Sequence, residues 1–352
     1  MTGARPFRLV TLAAAALLAV AACAGTPEPS PPAAPSAPVS PAWQRVIDAA
    51  RKEGSVTIYS SQGTDQLNDV ATRFQQAYGI KVDVLRDVDA NLEAKLDAEH
   101  GGTQKFADVT ALADGTYVAT KGQQGWWAAP TGPDVAAPAY AGAAQPAADG
   151  SFITSAAVFV LGWNTQTVPG GLRSYADLLA PTLAGKIGVN DPAISPAVVD
   201  FYRYLQEQNG AGFVDGLAAQ RPQIFPSVLP MGQALLSGQI SAMLGGSAPV
   251  TQKDQGAPVD FLVPKPAWGA AFRTAVLADA PHPNAAQLLA DYLATADGQA
   301  AIARDGASVL PGVPGALTAI ADVRVFDAAS LSATQISDFR TEFRAKFQGG
   351  GA

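Results

Sequence analysis

Between Val56 and Leu112 short apolar runs alternate with amphipathic ones, and that alternation admits few folds. Val56-Thr57-Ile58-Tyr59 reads as a buried strand. Residues 66–78 form a helix with Leu67, Val70, Ala71, Phe74 and Ala77 on one face, closed by Gly79. Residues 80–84 alternate as a second strand, 92–100 are helical, and 107–112 form a third apolar strand that stops at Asp114-Gly115. Strand, helix and strand in repetition predict an α/β fold with a largely parallel sheet.

The pattern continues on both sides. A helix over 43–53 ends at Gly54, and the Pro- and Gly-dense stretch 130–150 reads as a long irregular connection. Residues 153–163 resume as one strand, and a second α/β lobe begins around 174–179 and 186–189. Helices are expected over 198–208, 213–219, 228–236, 284–294 and 298–304, and strands over 239–244, 259–263 and 275–278. Phe339, Phe343 and Phe347 lie four apart and predict a last helix packing one aromatic stripe on the body.

The amino terminus carries a different signal. Arg5 and Arg8 precede the apolar run 9–20, and Val20-Ala21-Ala22 places small residues before Cys23, the one cysteine of the chain. This order marks a secretory signal over 1–22. The ending is similar to the bacterial lipobox, which implies lipidation at Cys23. Removing 1–22 takes two arginines and no acids, so the formal charge falls from −7 to −9. An acidic chain argues against nucleic acid as a partner. Residues 23–42 hold Pro27, Pro29, Pro31, Pro32, Pro35, Pro38 and Pro41, a tether rather than a domain. With Cys23 lipidated no disulfide remains, and two histidines argue against structural zinc. No later apolar stretch is long enough for a membrane span; 111–129 and 151–163 are both interrupted.

A set of ordered tags then points to a family. They include Tyr78-Gly79-Ile80-Lys81-Val82, Ala107-Asp108-Val109, Gly162-Trp163-Asn164-Thr165 and Tyr175-Ala176-Asp177-Leu178-Leu179. The most telling is Ala280-Pro281-His282-Pro283-Asn284-Ala285-Ala286, with Asp297-Gly298-Gln299 after it. In order and spacing the chain resembles extracytoplasmic solute-binding proteins of ABC importers, in the branch containing ferric-ion-binding proteins. The resemblance implies a two-lobed, type II periplasmic-binding-protein-like α/β fold with a ligand cleft between the lobes. Lobe one would combine 43–152 with 273–350, and lobe two would be 153–272. It also implies a small-molecule solute, separate ABC permease and ATPase subunits, a membrane reached through the lipid anchor alone, and a monomer. At the head of a helix, His282 reads as structural.

Ferric-ion members use a histidine, a glutamate and a tyrosine pair. Those positions map here onto Gly63, Ala113 and Ser247-Ala248, none of which supplies the donor. What stands nearby is small and polar. The resemblance places Ser60, Ser61 and Gln62, Asp114, Ser195, Ser227, Gly246 and Ser247 about the cleft, with Trp268 able to stack on a ligand. Serines at helix starts suit phosphonate, phosphate ester or carboxylate, because unpaired N–H groups gather there. Ser195 and Ser227 read equally well as plain N-caps, and Asp114 as a turn former. Arg86, Arg221 and Arg273 are each candidates for a counter-charge, and the sequence does not choose among them. No metal or cofactor is expected. An enzyme is not expected either: the chain has no Gly-x-Ser-x-Gly or His-Glu-x-x-His, and only His100 and His282 to act as bases. Carboxylate pairs such as Asp87/Asp89 fit a solvated face better than a catalytic dyad. A ferric-ion carrier and a sensing lipoprotein without transport stay as alternatives.

Overall fold

Ser40 shows how the folded chain begins: its hydroxyl accepts from Trp43 N–H at 3.1 Å and caps the first helix. A computed structural model describes residues 39–144 and 147–348. The expected signal, Cys23 and nearly all of the 23–42 tether lie outside the described residues.

Helix α1 (Pro41–Glu53) ends at Gly54, whose φ of 78° is the left-handed conformation glycine adopts without strain. The chain continues through β1 (Ser55–Ser60), α2 (Thr64–Tyr78), β2 (Lys81–Arg86), α3 (Asp89–Gly101), β3 (Val109–Leu112) and α4 (Gly115–Gln123). Next come β4 (Trp127–Ala128), α5 (Pro138–Ala144), β5 (Phe152–Val158), β6 (Val160–Asn164) and β7 (Ile187–Asn190). Helices α6 (Pro196–Asn209) and α7 (Phe213–Ala219) precede β8 (Gln223–Phe225), α8 (Val228–Ser237), β9 (Ala242–Gly246), α9 (Val250–Asp254) and β10 (Val259–Leu262). The long β11 (Ala267–Leu277) leads to α10 (Pro283–Tyr292), α11 (Ala296–Ile302), β12 (Ala307–Ser308), β13 (Thr318–Ala319), β14 (Val323–Val325) and α12 (Ala333–Gln348).

The strands form two sheets. The first runs β13-β12-β5-β11-β3-β1-β2, with β4 and β14 also paired to β11. The second runs β10-β6-β9-β7-β8. In the first, β1 pairs in parallel with both β2 and β3; in the second, β7 pairs in parallel with β8 and β9. Each sheet has helices on both faces. Phe74, Leu288 and Leu289 cover one face of the first, and Leu92, Leu96 and Val118 the other. Phe201, Leu205 and Leu217 cover one face of the second, and Met231 and Leu235 the other. Burying side chains of this size stabilises by about 1.5–3 kcal/mol each, so these layers hold the fold without a disulfide.

Three expectations need correction. Residues 153–163 are not one strand: β5 joins the first sheet and β6 the second, with Phe159 at the crossing. Both segments are apolar and buried, so no local signal marks the change of sheet. The strand expected over 275–278 begins at Ala267, and β11 pairs throughout with first-sheet strands, so the second segment of that half starts before 273. The last helix does not return to lobe one. It packs instead on α6 and α7, where Phe343, 2% exposed, meets Tyr202 at a ring-centroid distance of 5.1 Å. An aromatic stripe fixes that a helix packs, not on which core.

His282 binds three elements together. Its N–H donates to Asp108 Oδ1 at 2.7 Å, and its Nδ1 lies 3.0 Å from Asp108 Oδ2, which also accepts from Thr57 N–H. Asp108 is fully buried, so these bonds offset its desolvation. Among the described residues no helix is long and apolar enough to cross a membrane.

Candidate functional site

Parallel strands end their carboxyl edges in loops, and ligands of open α/β sheets gather there. Ser60–Gln62 and Ala113-Asp114 end the neighbouring strands β1 and β3 of the first sheet. Ser195, Ser227 and Gly246-Ser247 follow the neighbouring strands β7, β8 and β9 of the second. The structure thus brings the chosen residues into two groups, one per sheet. The two halves touch near these edges: Arg304 Nη2, after α11, donates to Thr251 Oγ1 of α9 at 3.1 Å.

Within the first group most polar atoms are already engaged. Ser60 Oγ, fully buried, donates to Ala111 O and accepts from Gln62 N–H. Gln62, 2% exposed, donates through Nε2 to Ser155 Oγ at 2.7 Å and Ile302 O at 3.4 Å; its Oε1 is buried without a partner. Asp114 caps α4, accepting from Thr116 and Tyr117 N–H groups. Ser61 Oγ is buried beside the Asp89 carboxylate, short of a well-formed hydrogen bond. The second group is different. Ser195 and Ser227 occupy N-cap positions, yet neither hydroxyl makes the cap bond. Ser247 is exposed, and Gly246 is buried where a Cβ would fall 2.2 Å from Met243 Sδ.

Trp268 belongs to neither group. It is 0% exposed, packs on Phe159 and Phe201, and donates from Nε1 to Asp200 Oδ2 at 2.9 Å. Its Pro- and Gly-rich surroundings suggest a loop, but it lies in β11 with its ring fully covered. The expectation that it stacks on a ligand is therefore corrected: it anchors the crossing to the second core.

A cavity of about 950 Å³ opens where β3 gives way to α4. Its lining includes Ala113, Thr116 and Thr120, with Asp149 beside them and Phe326 on the 320–328 segment. Arg273, the single charged residue of β11, also lines it. Its one hydrogen bond among the described residues is a long one, from Nη1 to Ser151 Oγ at 3.4 Å. Two carboxylates, Asp149 and Asp327, line the cavity as well; Asp149 Oδ1 accepts from the Ser151 N–H and hydroxyl. Of the three arginines considered, Arg86 is tied to Gln62 O, and Arg221 is exposed with a φ of 54°. A lone charged residue in an otherwise apolar strand was the available signal for Arg273.

Beyond the Ala113–Gly115 turn the field reverses. Burial, and then the neighbouring Asp114, Asp89 and Asp97, push Glu93 up to about 7. Burial also raises Asp89 above the usual carboxylate range. Among the described residues no group of three or more acidic, histidine or cysteine side chains is arranged to hold a metal ion.

This geometry has counterparts among known structures. Iron-bound HitA from Pseudomonas aeruginosa is 20% identical, with a TM-score of 0.57 over 85% of this chain and 99% of that one. The substrate-binding protein of an ABC transporter from Agrobacterium tumefaciens is 15% identical, with a TM-score of 0.68 over 84% and 95%. AfuA from Actinobacillus pleuropneumoniae, with fructose-6-phosphate bound, is 20% identical at a TM-score of 0.58 over 84% and 99%. At these identities the likeness shows the two-lobed periplasmic-binding-protein fold. Among curated proteins none matches the chain. The model of one family, the bacterial extracellular solute-binding proteins, matches residues 56–307. With most of its length matched and both sheets in place, the chain belongs to the bacterial extracellular solute-binding protein family.

Proposed function

We propose that this chain is the capture component of an ABC importer, closing on a small anionic solute and delivering it to a membrane permease and its ATPase. The solute class is phosphonate, phosphate ester or carboxylate. The observation that carries the reading is Arg273: a guanidinium lining a large cavity with one long hydrogen bond to a neutral hydroxyl. Such a donor fork suits an oxyanion. Ser195, Ser227 and Ser247 do not line that cavity; their hydroxyls would reach the solute by closure of the lobes. No bond-making step is required of the protein. Cys23 would hold it to the outer face of the membrane as a monomer, at the end of the proline-rich tether. Replacing Cys23 by Ser is then expected to release the protein from the membrane fraction.

Thermal shift with inorganic phosphate, aminoalkylphosphonates, sugar phosphates, carboxylates, neutral sugars and ferric ion tests the solute class. A ligand at about 1,000 times its dissociation constant stabilises by ~4 kcal/mol. Arg273→Gln is expected to weaken the responding anion by roughly 10- to 150-fold, the worth of a charged hydrogen bond. A response to ferric ion alone would favour the iron carrier that HitA exemplifies and would refute the anion reading. Silence across the panel, with normal folding, would favour a sensing lipoprotein or a solute of another class.

A further inference from the structure

Asp89 stands beside Ser61 and Asp114, two of the residues that the sequence placed about the cleft. It opens α3, directly after β2, and its Oδ1 accepts from Ala113 N–H at 3.3 Å. The Asp114 N–H and the Ser61 hydroxyl lie against the same carboxylate. One side chain thus occupies the gap between the carboxyl ends of β1 and β3, taking the Ala113 N–H and standing beside the buried, partnerless Ser61 hydroxyl. Behind it stand Glu93 and Asp114, so the local field is negative. At the first turn of a helix a carboxylate is also favoured by the helix dipole, which offsets part of the cost of burying Asp89.

We propose that Asp89 is a specificity-determining residue, a built-in carboxylate that fills the anion seat of the first-sheet loops and so leaves Arg273 as the one place for the solute's negative group. The inference rests on the anion reading only for its second half; the filled seat stands by itself. A plain staple joining α3 to the β3–α4 turn would use the same bonds but would have no effect on anion binding. The two roles therefore part in solution.

The test uses inorganic phosphate as probe, with the full chain and calorimetric titration. Asp89→Ser vacates the seat and removes the charge, while Asp89→Asn removes the charge and keeps an oxygen for Ala113 N–H. Asp89→Ser is expected to bind phosphate at least tenfold more tightly than the parent, or with one additional equivalent, and Asp89→Asn to gain less. The gain in Asp89→Ser is expected to survive Arg273→Gln, because it arises at the other side of the Ala113–Gly115 turn. If both folded variants bind phosphate as the parent does, the built-in anion is refuted. A gain that vanishes with Arg273→Gln refutes the separate seat, and makes Asp89 a long-range charge acting on Arg273. Failure of Arg273→Gln to weaken any anion would overturn the proposed function while leaving the Asp89 result readable.

Discussion

The two strand-end groups look alike in sequence, each made of small polar residues beyond strand ends, yet the structure uses them in opposite ways. At the first sheet Ser60 bonds Ala111, Gln62 bonds Ser155 and Ile302, and Asp114 caps α4. At the second, the Ser195, Ser227 and Ser247 hydroxyls have no hydrogen-bond partner among the described residues. Most of the first group is therefore internally bonded, Ser61 Oγ and Gln62 Oε1 excepted, and the second is open. The difference teaches that a serine at a strand end is a donor in reserve only when no buried carbonyl lies within its reach.

The largest effect that separates the groups is expected at Gln62. Gln62→Ala strips Ser155 Oγ and Ile302 O of a buried partner, which costs about 1–3 kcal/mol for each group left unsatisfied. The same change removes the partnerless Oε1 and so returns part of that loss. A net destabilisation of about 2 kcal/mol is expected, read as a lower denaturant midpoint at unchanged m. A change below ~0.5 kcal/mol would mean that the first group is no more tightly bonded than the second.

Next in size is a pH effect confined to the first sheet and its helices. Glu93 is pushed up to about 7 by burial and its acidic neighbours, and Asp291 to about 6 by burial and then by Asp134. Asp291 is 3% exposed and holds the 130–137 connection by accepting from Asp134 and Val135 N–H groups. Both folded values exceed the ordinary carboxylate range, so between about pH 4 and 7 these two groups bind more protons in the folded chain than in the unfolded one. Stability then falls as pH rises through that window and levels off above it. Glu93→Gln and Asp291→Asn are each expected to flatten the fall in melting temperature between pH 5 and 8. A wild-type melting temperature that rises over this range would reverse the argument.

Periodicity made much of this fold legible, and little of the site. The 66–78 pattern places Leu67, Val70 and Phe74 on one face, and all three are fully buried in α2. Such patterns report a local period that packing then respects. The change of sheet at Phe159 is decided by distant partners, β11 for one half of the run and β9 for the other, so no local period can report it. Trp268 escapes the sequence for a related reason. Proline and glycine on either side mark where a chain turns, not which core receives a large ring. Asp89 reads in sequence only as half of a solvated acidic pair with Asp87. Its bond to Ala113 joins positions 24 residues apart, which spacing along one helix cannot reveal.

The smallest expected effect bears most directly on the difference between the two groups. Ser195 and Ser227 have φ values of −165° and −164°, extended backbone that any residue adopts, so alanine at either position meets no strain. A serine that caps its helix loses about 1 kcal/mol on replacement by alanine. Here the cap bond is absent, and each single change is expected to alter stability by no more than ~0.5 kcal/mol. Binding should respond instead. If each hydroxyl donates to the solute, its loss weakens affinity by roughly fivefold, about 1 kcal/mol, and the double variant by roughly 30-fold. Parallel melts and titrations of the two variants read both quantities on the same samples. Lower stability with unchanged affinity would make these serines ordinary caps, and the second group would then be engaged within the fold just like the first.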